Sequence, residues 1–286
     1  MEPTLTHPKS RLNFPLHGYL GLASLLLFEI LLALRVEPVL TWFTPIQWTG
    51  YILLLDAVLI WLGGQGYIFD QPKKFAYMLI VSVAVWFLFE GYNLHLQNWY
   101  YIHLPENLAV RMIGYVWAFA TIFPGILFTS EVIDRLGFFH AVRIRPLKVS
   151  PGLLWGFIIF GVLCTTVPLL LAQDVAKYLF VFVWIGFIFL LDPINYLLKR
   201  PSLLHQLEKG SLQKLLSLFL AGWICGLLWE FWNYWAGTKW IYAVPYLSKP
   251  KLFEMPLFGY LGFLPFAVEC YVFWQLFLYF WNPAKD

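Results

Sequence analysis

Charge, cysteine and histidine are all scarce in this chain. Asp, Glu, Lys and Arg supply only 12% of its 286 residues, about half the usual share, which excludes an ordinary soluble fold. The 19 basic and 16 acidic residues leave a net charge of +3, too small and too diluted for a nucleic-acid binder. Three cysteines, Cys164, Cys225 and Cys270, all fall in apolar runs, so neither a disulfide framework nor a zinc site is indicated. The six histidines include no mid-span pair to ligate a b-type haem. Walker lysine, dinucleotide glycine, Cys-x-x-Cys-His and His-Glu-x-x-His motifs are missing as well. The expectation is no cofactor and no metal. What the chain has instead is 60% hydrophobic residues, with Phe 27, Tyr 16 and Trp 15 supplying a fifth of the total.

A bilayer core asks for about 20 apolar residues per helix. Runs near 17–35, 47–65, 75–95, 109–130, 152–172, 178–198, 215–236 and 257–280 meet that demand. The first run is too long for a signal peptide, carries Glu29 and lacks a cleavage signature, so it is expected to stay. Thirteen of the nineteen Lys and Arg, among them Lys9, Arg11 and Lys285, fall on one side if both termini are inside. Basic flanks favour the cytoplasm, which predicts an all-α polytopic bundle of eight helices, N-in and C-in, in the cell membrane. A partly re-entrant segment at 178–198 is the main alternative.

The chain echoes itself. Leu54-Leu55-Asp56 recurs as Leu190-Leu191-Asp192, 136 positions later. Glu90 and Asn93, followed by Trp99 and Tyr101, recur at an offset of 140 as Glu230 and Asn233, followed by Trp240 and Tyr242. Gly114-Tyr115 recurs as Gly259-Tyr260, at 145. This predicts two parallel four-helix halves, 1–150 and 151–286, within one membrane domain.

Six acids fall within the runs: Glu29, Asp56, Glu90, Asp192, Glu230 and Glu269. A carboxylate in hydrocarbon is costly, so these should face the interior and mark a polar site. Glu90, Glu230 and Glu269 are expected to converge in the outward half, with Asn93 and Asn233 holding them. The bland account is that each Glu hydrogen-bonds an Asn, a Trp N–H or a carbonyl to fix packing. Asp192 precedes Pro193 and reads as a kink partner. Arg111, beside Glu106, reads as a snorkelling pair. Trp229, Trp232 and Trp240 belong to an aromatic cluster denser than an interface belt needs, able to line a pocket and to stabilise a cation.

The second half carries a motif, Trp229-Glu230 with Gly237 and Trp240, then Gly262-Phe263-Leu264-Pro265 and Glu269. It resembles the integral-membrane lycopene cyclase family. The resemblance implies a duplicated helical module that cyclises a linear carotenoid by protonation, without net redox change. It matches Glu230 to the acid before the Gly-x-Trp segment and Glu269 to the acidic pair after Leu-Pro. The expected function is therefore acid–base chemistry on an isoprenoid or carotenoid-like lipid. Glu230, Glu269 and Glu90 would be catalytic, and Asn93, Asn233, Trp229, Trp232, Trp240 and Tyr260 would bind substrate. A proton-coupled transporter and a noncatalytic scaffold are the rivals. The bilayer and the apolar substrate are the expected partners, with a homo-oligomer or membrane-protein partner left open.

Overall fold

The protein is described by a computed structural model covering residues 13–281. Lys9, Arg11 and Lys285, which contribute to the predicted orientation, lie outside the described residues. Within them, eight helical segments are long and apolar enough to cross a membrane. They are α1 (Leu16–Ala33), α2 (Val39–Trp61), α3 (Pro72–Leu96), the pair α4 (Leu108–Ala120) and α5 (Ile122–Leu136), and α6 (Pro151–Leu170). The sixth, Gln173–Leu197, joins α7 (Gln173–Ala176) through a 3-10 turn to α8 (Phe180–Leu197). After the short α9 (Leu203–Glu208) come α10 (Gln213–Trp235) and the last segment, a 3-10 stretch at Leu257–Gly262 continued by α11 (Phe263–Phe280). The protein is an all-α polytopic membrane bundle. Its sixth segment is of crossing length.

Local chemistry sets the ends of these helices. Asn107 caps α4 by accepting the N–H groups of Ala109 and Val110, and Ser150 caps α6 at Leu153, as short oxygen-bearing side chains do. The fourth crossing breaks at Thr121 because Pro124 lacks the N–H that would reach back to Ala120. Ser82 of α3 covers the break: its Oγ donates to Phe119 O at 2.5 Å and accepts from Phe123 N at 3.1 Å. No water reaches hydrocarbon to do this, so a neighbouring hydroxyl must. Leucines such as Leu20, Leu26 and Leu27 on α1 point outward, where lipid replaces a protein partner.

Contacts recur between the two halves of the chain. Gly21 of α1 lies against Gly50 O and Leu54 N of α2; Gly161 of α6 lies against Gly186 O and Leu190 N of α8. Neither place leaves room for a Cβ, the small-residue device by which membrane helices approach closely. Asp56 accepts the N–H groups of Tyr67 and Ile68, and Asp192 those of Leu203 and Leu204. Asp192 is thus a clamp on the start of α9 rather than the kink partner expected from Pro193. Asn195 instead donates to Val272 O of α11, at 2.9 Å.

Ten of the described Lys and Arg residues sit in or beside the connections at one end of the bundle, and six at the other. At this second, less basic end, β1 (Trp99–Ile102) pairs antiparallel with β2 (Lys239–Tyr242). Trp99 stands opposite Tyr242, and Tyr101 opposite Trp240. A small hairpin of β3 (Lys251–Leu252) and β4 (Met255–Pro256) lies nearby in sequence.

Candidate functional site

Two aromatic strands are hung from two helix ends. Asn93, in the last turn of α3, donates to Trp99 O at 2.8 Å and accepts from the N–H groups of Asn98 and Trp99 at 2.9 and 3.2 Å. Asn233, in the last turn of α10, donates to Trp240 O and accepts from Trp240 N, both at 2.9 Å. Each Asn therefore holds a strand, not the glutamate three residues before it, and neither reaches a ligand cavity.

The glutamates meet the strands through side chains. Glu90 Oε1 accepts from Tyr101 OH at 2.6 Å and from the indole N–H groups of Trp86 and Trp99, both at 3.1 Å. Glu230 Oε1 accepts from Tyr242 OH at 2.7 Å, and Trp240 Nε1 donates to that phenol oxygen at 2.9 Å. The second Glu230 oxygen has no partner among the described residues, and the side chain is fully buried. Burial, and then the neighbouring Glu90 or Glu230, holds the phenols of Tyr101 and Tyr242 well above their ordinary value. Both remain neutral O–H groups across the physiological range.

Side chains two apart on a strand share a face, so Trp99, Tyr101, Trp240 and Tyr242 present one four-ring surface. All four line a cavity of about 450 Å³, within the range of small-molecule sites. Its other walls are rings from both halves. Trp48 of α2 packs on Trp229 with centroids 4.6 Å apart, and Trp184 of α8 stacks on Phe89 at 4.8 Å. Trp48 and Trp184 are 136 positions apart, the offset of the two aspartates. Thr44 and Trp48, one turn apart on α2, also belong to this lining, while their polar atoms Oγ1 and Nε1 are buried beneath its surface and have no partner among the described residues.

The expected site residues divide in consequence. Trp229 and Trp240 line the cavity. Glu90 and Glu230 stand one hydrogen bond behind it, through Tyr101 and Tyr242. Glu269, on α11, does not join them: it is 1% exposed, does not line the cavity, and neither oxygen has a partner among the described residues. Trp232 turns its N–H to Glu29, which also accepts from Gln47, and its ring backs Trp48. Tyr260 donates to Leu252 O and so ties down the β3–β4 hairpin. Neither Trp232 nor Tyr260 lines the cavity. Arg111 does, and it donates to Pro105 O rather than pairing with Glu106.

The groups that sequence spacing left unassigned are Tyr101 and Tyr242. Their signal was present, since each follows its glutamate by 11 or 12 residues, but only the strand pairing makes those distances short in space. A neutral phenol backed by a carboxyl group can pass a proton into an apolar chamber, and indole faces can stabilise the cation that results. Comparisons with family models, with curated proteins and with solved structures gave no match to this chain.

Proposed function

We propose that the protein is a membrane-embedded acid–base enzyme acting on an isoprenoid or carotenoid-like lipid, by redox-neutral isomerisation or cyclisation. One observation carries this reading: two Tyr–Glu pairs, Tyr101 with Glu90 and Tyr242 with Glu230, serve one ring-lined chamber. Glu230 starts protonated and passes its proton to the Tyr242 oxygen as the phenol proton goes to an alkene carbon, so that Glu230 ends as the carboxylate that accepts from Tyr242. Trp48, Trp99, Trp229 and Trp240 face the developing carbocation. Tyr101 and Glu90, with their extra indole donors, are placed to receive the proton lost when the double bond re-forms.

Against the transporter, the bundle beyond the chamber is filled by side chains with no exposure, including Met78, Ile126, Phe128 and Leu218. Against a scaffold, a chamber of this size built from both halves has no packing purpose.

The test is to express the protein in cells that accumulate linear carotenoids or shorter isoprenoids and to compare lipid products with those of Glu230→Gln and Tyr242→Phe variants. New cyclic or isomerised products from the unaltered protein, reduced about 100-fold or more in either variant, are expected for loss of a general acid. Identical products in all strains, including one without the protein, would sink the reading. Proton-linked solute flux in liposomes, abolished by Glu90→Gln, would favour the transporter instead.

A further inference from the structure

The chamber's charged lining is of one sign. Arg111 and Lys239 belong to it, and no Asp or Glu does among the described residues. Lys239 is already spoken for, bonding Glu254 at 2.9 Å and Tyr234 O at 3.1 Å. Arg111 is not. Its Nε donates to Pro105 O at 3.0 Å, and among the described residues no carboxylate lies within salt-bridge range of its guanidinium. It sits in the first turn of α4, at the outer rim, where the chamber's rings give way to the end of the bundle. A guanidinium with free N–H groups beside low-dielectric aromatic walls is a site for an anion, because its five donors match the oxygens of a carboxylate or phosphate.

We infer that the chamber takes an amphiphile, with an anionic head on Arg111 and an apolar chain among the rings. This rests on the chamber being a lipid site, as proposed above, and narrows the substrate class to chains ending in a carboxylate or phosphate. The same chain with a neutral end loses its charge-assisted bonds and binds more weakly.

The experiment uses the full chain in phosphatidylcholine nanodiscs and follows energy transfer from the lining tryptophans to cis-parinaric acid or to its methyl ester. The acid is expected to bind about tenfold more tightly than the ester, the scale of a charge-assisted contact. Arg111→Gln should bring the acid to the ester's level, whereas Arg111→Lys should keep much of the preference. Equal binding of acid and ester by the unaltered protein, or a preference untouched in Arg111→Gln, would overturn the anionic head and leave the chamber intact. Transfer no greater than in empty nanodiscs for both probes would overturn the chamber as a lipid site and the anionic head with it.

Discussion

Tyr242 donates its phenolic proton to one oxygen of Glu230 across 2.7 Å, and among the described residues the other oxygen of this fully buried carboxyl group has no partner. Among the described residues three side chains donate to Glu90 in hydrogen-bond geometry, and only Tyr242 does so to Glu230. The two halves thus place the same pair of residues in unequal surroundings.

That inequality sets the cost of removing each phenol. Tyr242→Phe strands a buried carboxyl group and should destabilise the protein by about 1–3 kcal/mol, while Tyr101→Phe leaves Glu90 two indole donors and should cost about 0.5–1.5 kcal/mol. Thermal unfolding in detergent orders the two; equal losses, or the reverse order, would contradict the difference in environment.

The phenols also give a pH dependence. Tyr101 and Tyr242 keep their protons to higher pH when folded than when unfolded, because burial and then the adjacent glutamate oppose the phenolate. Their contribution to stability is complete below the ordinary phenol value of about 10 and declines as pH rises above it, since the unfolded chain then binds fewer protons. Unfolding midpoints measured at pH 8 and at pH 10.5 should fall, and fall less in a Tyr101→Phe, Tyr242→Phe double variant. An equal fall in the two proteins would assign the effect elsewhere.

Helix α6 contains its own control for close packing. An added Cβ at Gly161 meets the backbone of α8, so Gly161→Ala should cost about 1–3 kcal/mol through overpacking. Five residues earlier, a Cβ at Gly156 meets nothing within 4 Å, and Gly156→Ala should be neutral or stabilising by up to about 1 kcal/mol. Unfolding of both variants in the same detergent decides it.

Asp192 fastens the backbone that opens α9. Asp192→Ala removes two acceptors at once and should free the segment 199–212, raising the rate of tryptic cleavage after Lys209 by about tenfold as local opening becomes easier. An unchanged rate would mean that the Ser202 cap suffices to hold the turn.

Much of the bundle is legible in the sequence because hydrocarbon allows few alternatives: the runs at 75–95 and 215–236 have to be helices, and α3 and α10 cover them within a few residues. The polar residues are legible as special but not as to partner. Glu90 and Asn93 share a helical face, yet Asn93 bonds the backbone of Trp99, six positions on. Periodicity carries no information about a strand pairing that sets Trp99 opposite Tyr242. For the same reason Tyr260 and Trp232, read as substrate ligands, prove to bond Leu252 and Glu29. Arg111 is a different case, since proximity in sequence suggested Glu106 and the turn into α4 supplied Pro105 O instead.

The β1–β2 ladder joins positions more than 130 residues apart, and this orders the protein's biogenesis. Glu90 finds Trp86, Trp99 and Tyr101 within its own half, and Glu230 finds Tyr242 within the other. Each half can therefore leave the insertion machinery with one oxygen of its acid already hydrogen-bonded. The chamber has no such independence: until Tyr242 has been synthesised and docked opposite Trp99, the first half offers lipid only an open, one-sided wall of rings.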